Sequence, residues 1–342
     1  MQIVNETPFS LFVHRDHLDD SFAMVDATVK TTHERIDGGW QLSRECAPIS
    51  GEPSERFPMG EAPCLRENGL AELTVSGTVR APDGRAFRRR TALLRIGDQT
   101  HSILAFGRRW WRHRNGAVEP SDAELTEGVE MVWSNAYGGS WTRPPGLLPH
   151  TKLPAPTTRI LCSANPAGKG WVMDVAEAEG VELPQLEDPE QPIVAWDTRP
   201  APSCWAPMPS DTSLRMDHFA IKQASLGNRH ELDEFTFARG ALNAPPQLQR
   251  RDLHPNTRIE VEGLGPATIS FIVPEPAIRW RVTAGARERR RRPALVAVHI
   301  DADTQRVELA WHATLYAPLI SGERRTFTLE PDVTSRSARA TG

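Results

Sequence analysis

Cysteine, lysine and long apolar runs are scarce in this chain of 342 residues, and each scarcity excludes something. The four cysteines, Cys46, Cys64, Cys162 and Cys204, stand far apart with no CxxC spacing. That pattern argues against a structural zinc site and suits reduced thiols, packed as small hydrophobes in a cytoplasmic protein. The longest apolar runs, such as ALVAVHI at 294–300, are strand-sized, well short of the roughly 20 residues that cross a bilayer as a helix. The first residues show no basic stretch leading into an apolar core, so no secretory signal and no membrane insertion are expected. A net charge of −4 argues against general affinity for nucleic acid. Lys30, Lys152, Lys169 and Lys222 are the only lysines among 40 basic residues. The arginines cluster at 88–90, at Arg108, Arg109, Arg112 and Arg114, and at 287–292. Each cluster reads as a solvated turn between strands, with a local anionic partner as the alternative.

Tryptophan, proline and glycine are plentiful, and they concentrate in the stretch 133–171. It is too broken for a helix, with Gly138-Gly139, Pro144-Pro145, Pro149, Pro154, Pro156 and Pro166, and too aromatic for a disordered linker. Trp133, Tyr137, Trp141 and Trp171 need burial for their rings and partners for their polar tips. A long irregular segment with its own apolar anchors reads as an ordered, functional loop, here a docking surface rather than an active site.

Around that stretch the chain reads as mainly β. Two sandwich-like sheet regions at the chain ends are joined by a long Pro/Gly/Trp-rich middle with one or two short helices. The expected divisions are an N-terminal β region over 1–112, a loop-rich centre over 113–250 packed on the sheets, a C-terminal β region over 251–330, and a flexible tail over 331–342, integrated as one structural unit. Strands are expected at 3–13 and 22–32, and at 70–81, where Leu73, Val75, Gly77 and Val79 alternate as one buried face would. Pro82-Asp83-Gly84 has the chemistry of a hairpin turn returning into 88–98. Strands 257–265 and 267–275 are expected to pair across Gly265-Pro266, and 294–317 to form a hairpin with its polar tip at 301–305. The dense prolines of 182–210 predict an extended strip that Trp196 and Trp205 pin down. A helix is expected over 213–227, capped by Asp211 or Ser213 and stopped by Gly227.

The possible chemical constellations are weak. The run Asn165 to Gly170 (NPAGKG) has a lysine in a glycine-rich turn, yet Ser163 stands where a phosphate loop needs glycine, and Gly170 where it needs a hydroxyl. A tight turn that folds Trp171 back accounts for it better. Ser140 within GGSWT lacks the closing glycine of a nucleophile elbow. His14 with His17, or His299 with Asp301 and Asp303, offers metal-ligand types, but the aspartates sit where a hairpin turn wants them. Trp110-Trp111 in a strand places one ring in the core and the other outward. No acid–base pair, triad or metal set emerges, and no cofactor is expected.

The order of motifs adds what no single motif does. Asn5-x-Thr-Pro-Phe9, VDATVK (25–30), Trp40-Gln41, SGTVRAPDGRAF (76–87), ILAFGRRWW (103–111) and AYGG (136–139) come in succession. NPAGKGW (165–171), ELPQLE (182–187), Trp205–Pro207 and APPQLQ (244–249) follow. Over roughly residues 5–312 this set resembles a bacterial domain-of-unknown-function family whose genes lie in type VI secretion clusters beside PAAR spike-tip and VgrG genes. Two departures stand out: the loop before the strand at 73–80 has diverged, and Gly107-Arg108-Arg109-Trp110 lacks the acid of the family's Gly-Asp-Arg-x-Trp. The resemblance implies a non-enzymatic adaptor or chaperone that binds a PAAR-bearing effector and helps load it on the VgrG spike. The expected partner-binding residues are Tyr137, Gly138, Gly139, Trp141, Asn165, Gly168, Gly170, Trp171, Trp196 and Trp205, with Arg289, Arg290, Arg291 and Arg292 meeting an acidic surface. A carbohydrate- or peptidoglycan-binding β module and a hydrolase using His14/His17 or Ser140 are the alternatives.

Overall fold

Alternation of side chains along a strand sends successive residues to opposite faces, and the long strands of this protein use both faces. The computed structural model describes residues 2–19, 22–46, 48–49, 54, 56–57, 70–143, 146–147, 154–155, 158–214, 242–318 and 325–332. Beyond Leu214, the helix expected over 213–227 lies outside the described residues, as does the tail from 333 onward. The chain is mainly β and forms two compact units, one from 1–74, 232–259 and 270–342, the other from 75–231 and 260–269.

In the first unit a seven-stranded sheet runs in the order Gln249–Arg250, Ala71–Ser76, Ala294–Asp301, Arg306–Pro318, Phe22–Ile36 and Ser10–Asp19, with Gly39–Leu42 also paired to Phe22–Ile36. The hairpin expected over 294–317 is present, with Asp301 opposite Arg306. One face of this sheet is apolar and buried, with Val25, Ala27, Val29, Leu73, Val298, Ile300, Leu309 and Trp311. The opposite face is polar and equally buried: Asp26, Thr28, Lys30 and Thr32 on one strand, Glu308 and His312 on its neighbour, then His299 and the pair Glu72 and Thr74. Burying such groups is tolerated because they pair with one another. Thr74 Oγ1 lies 2.7 Å from His299 Nδ1, Thr28 Oγ1 lies 2.9 Å from His312 Nδ1, and Lys30 Nζ lies 3.8 Å from Glu308.

A four-stranded sheet, Gln2–Asn5, Arg325–Pro331, Ile278–Ala284 and Arg287–Arg291, completes this unit. The single strand expected over 3–13 is therefore two. Asn5 Oδ1 accepts the Thr7 N–H at 3.0 Å and Asn5 Nδ2 donates to Phe9 O at 2.9 Å, while Pro8 has no N–H for a ladder. The Asn-x-Thr-Pro-Phe motif is thus the turn at which the chain changes sheets.

In the second unit, Leu186–Glu187, Gln99–Phe106 and Arg89–Ile96 lie side by side, and the strands Arg258–Glu262 and Ile269–Ile272 pair with one another as expected. The turn at Pro82-Asp83-Gly84 forms, with Gly84 N–H donating to Ala81 O at 3.0 Å, but it is not the tip of a hairpin. Thr78–Val79 before it pairs with Val129–Glu130, whereas Arg89–Ile96 after it pairs with Gln99–Phe106. Turn chemistry set the local bend and the pairing was decided elsewhere. The strand expected over 70–81 ends at Ser76, and Leu73, Val75 and Val79 are buried as read.

Candidate functional site

Two short motifs that are distant in sequence meet in the second unit. Tyr137–Gly138 pairs in parallel with Lys169–Gly170, so AYGG and NPAGKG form one clasp. Asn165 is its centre and is fully buried. Its carbonyl accepts the N–H of Gly139 at 2.8 Å and of Gly168 at 3.2 Å. Its side-chain Nδ2 donates to Trp133 O at 2.8 Å and Tyr137 O at 3.1 Å. The backbones approach so closely that side chains do not fit. A Cβ on Gly168 would lie 2.5 Å from Asn165 Nδ2 and 2.6 Å from Ala136 O, and one on Gly138, at φ 146°, would overlap the Asn165 carbonyl.

Lys169 donates to Glu182 at 3.0 Å and Gln185 at 3.4 Å, so its ammonium is a strut inside the clasp rather than a free phosphate ligand. Those two partners come from the ELPQLE motif. That motif's last residue, Glu187, forms a buried ion pair with Arg109, whose guanidinium also sits 3.7 Å above the Phe106 ring. The reading of Arg108–Arg114 as solvated is therefore corrected for Arg109, and it was missed because its partner stands 78 residues away.

The expected docking residues fall into two sets. Tyr137, Asn165 and Trp205 are buried and do not present their side chains. Burial pushes the Tyr137 hydroxyl up to about 12. The Trp205 backbone O accepts the Val75 N–H at 2.9 Å, and Trp133 Nε1 donates to Ala206 O at 2.9 Å, so these bonds fix the proline-rich strip to the body. Gly138, Gly139, Gly168 and Gly170 are the packed backbone of the clasp. The second set reaches the surface. Trp171 and Trp196 are half-buried against a cluster of Trp111, Tyr137, Val172, Ala178, Leu183 and Ile193. Trp141 is half-buried, and its indole N–H donates to Glu177 in the one-turn 3-10 helix Val175–Glu177. The same unit also exposes apolar residues that no motif singles out: Leu161 at 48% exposure, Met173 at 43%, Val175 at 39% and Val194 at 69%. Leu161 faces Ser140 across the strand pair that carries Trp141, and Val194 follows the clustered Ile193. Nothing in the spacing of these residues marks them; only the fold leaves them uncovered.

Four of the motifs, ILAFGRRWW, AYGG, NPAGKGW and ELPQLE, are thus joined by direct contacts. Residues 23–312 match a family described as an uncharacterized protein conserved in bacteria (DUF2169). The chain belongs to that family. No curated protein and no solved structure matches it.

The remaining candidates of this family member are dispersed. Ser140 is exposed and pairs with Leu161, and the side chain of His17 lies outside the described residues. Of the Trp110-Trp111 pair, Trp111 is buried and Trp110 half-buried, as alternation requires. His299, Asp301 and Asp303 do not converge: Asp301 accepts the Thr304 N–H at 3.2 Å in the hairpin turn, and His299 is buried with Phe57 edge-on at 5.2 Å. Burial, with the nearby Arg56 and Lys30 charges, holds His299 well below the usual imidazole range. A cavity of about 30 Å³ lies among Lys30, Glu72, Thr74, Asn243, His299 and Glu308. Small-molecule sites occupy roughly 300 Å³ or more, so this one is too small for a substrate.

The arginine cluster expected to meet an acidic surface is mostly engaged within the protein. Arg290 pairs with Glu288 at 2.9 Å, Arg292 with Asp332 at 3.0 Å, and Arg291 donates to Thr314 O at 2.8 Å. Only Arg289 of the four lacks an ion or hydrogen-bond partner among the described residues.

Proposed function

We propose that the protein is a non-enzymatic adaptor that binds a type VI secretion effector bearing a PAAR spike-tip domain in the cytoplasm and helps load it on the VgrG spike. The resemblance of the motif order to adaptor proteins suggests the partner. The observation that carries a protein-binding role is that Leu161, Met173, Val175 and Val194 are exposed apolar residues in the same unit as a clasp that is already ordered. Exposed apolar side chains supply area that a protein partner can bury, and a rigid loop loses little conformational entropy when it docks. The carbohydrate-binding alternative gains no support, since five of the ten tryptophans, Trp111, Trp133, Trp205, Trp280 and Trp311, are buried and form no exposed row. Co-expression with a PAAR-bearing effector tests the proposal. The effector should be soluble and co-purify with this chain, and Met173→Ser with Val175→Ser should release it. An effector that stays soluble and loads normally without this protein would overturn the reading.

A further inference from the structure

The strand Arg287–Arg291 is the last in its sheet, and all five of its residues are exposed. It pairs with Ile278–Ala284 on one side, and no described strand pairs with its other edge. On such an antiparallel edge, alternate residues direct their N–H and C=O groups away from the sheet, which makes a template for another strand.

The side chains determine what that strand can be. Glu288 and Arg290 share one face, where the acids Glu288, Glu330 and Asp332 neutralise Arg279, Arg281, Arg290 and Arg292. Arg287, Arg289 and Arg291 share the other. There Arg291 is tied to the Thr314 carbonyl, while Arg287 and Arg289 have no ion-pair partner among the described residues. A second copy of the same strand would set arginine against arginine, and like charges directly opposite are destabilising. A strand with acids at alternate positions would meet the unpaired guanidiniums in the geometry that cross-strand charge pairs favour.

We infer that this edge receives an extended acidic segment of a partner protein by strand addition, with Arg287 and Arg289 selecting its charge. The main-chain ladder supplies attachment and the two arginines supply discrimination. The contact lies in the first unit and is independent of the apolar residues around the clasp, so either can fail without the other.

Binding of labelled, end-blocked peptides to the full chain, followed by fluorescence anisotropy in low-salt buffer, tests it. A peptide alternating Glu and Val should bind saturably, and its Lys/Val counterpart should not. The double variant R287E/R289E, checked for unchanged circular dichroism, should weaken the acidic peptide about tenfold and bind the basic one. A Glu/Val peptide N-methylated at alternate amides keeps its charge but cannot complete the ladder, and it should lose binding. The inference is overturned if the acidic peptide shows no saturable binding, if the double variant binds it like the parent, or if the N-methylated peptide or polyphosphate binds equally well. The last result would mean attraction to any anion. A dimer of the chain that R287E/R289E dissociates would assign the edge to a second copy and overturn it as well.

Discussion

The seven-stranded sheet and the Asn165 clasp are both well buried, yet they are held in different ways. The sheet is stabilised by many side-chain pairs spread over its two faces, none of which dominates. The clasp depends on a few places where two backbones touch and on one asparagine whose side-chain amide and backbone carbonyl make two hydrogen bonds each across it. Distributed contacts tolerate the loss of one methylene, whereas a backbone contact does not tolerate the gain of one.

The largest effect should follow from adding a single carbon to the clasp. Gly138→Ala should destabilise the protein by about 3 kcal/mol, combining overlap with a backbone angle that disfavours any Cβ. Ile300→Val in the buried sheet should cost only about 1 kcal/mol. Urea unfolding midpoints give both values, and equal costs would erase the contrast. Asn165→Ala comes next. It leaves the Tyr137 carbonyl without a donor, worth about 1–3 kcal/mol when buried, and takes one of two donors from the Trp133 carbonyl, which still accepts the Ala136 N–H at 3.1 Å. Asn165→Asp should be worse, because it turns an acceptor toward both carbonyls.

The polar face of the sheet should show itself in pH dependence. His299 is held neutral in the fold, so the unfolded chain binds the extra proton. Stability contributed this way is fully present above the unfolded value of about 6.5 and is lost as pH falls below it, by up to about 1.4 kcal/mol per unit. Asp26 acts in a lower range. Burial raises its carboxyl, but hydrogen bonds from His312 and Thr314 outweigh that and hold it below its ordinary value. Its contribution is present above about 3.9 and is lost only as the pH falls through the depressed folded value. Melting between pH 7 and 5.5 should therefore isolate His299, and His299→Gln should flatten the slope. The smallest stability change, within about 0.5 kcal/mol, is expected for the exposed pair Met173→Ser and Val175→Ser, although effector binding should fall sharply.

Much of the sheet architecture could be read from alternation, as the hairpin 294–317 and the pair across Gly265-Pro266 show. Two kinds of feature could not. The first is pairing between distant segments. Pro82-Asp83-Gly84 bends the chain as its residues require, but no local signal tells that Thr78–Val79 joins Val129–Glu130. The second is the fate of polar residues. In sequence, Lys30, Glu308 and Arg109 look like residues for a solvated face, and each is buried against a partner far along the chain. The same limit applied to the site. The clasp motifs are recognisable as a unit in 133–171 whose rings need burial, but Tyr137 and Trp205 also stand among the residues expected to bind a partner. Trp133, Tyr137 and Trp205 instead anchor the platform, and the smaller Met173, Val175 and Leu161 are left outside.

Docking of this kind requires the platform to be formed before any partner arrives. Backbone hydrogen exchange in the free protein tests that most directly. The amides of Gly139, Lys169 and Trp171, which donate across the clasp at 2.8, 3.0 and 3.0 Å, should be protected as strongly as those of the Arg89–Ile96 and Gln99–Phe106 strands. Exchange at unprotected rates in the free protein, slowing only when an effector is added, would contradict it.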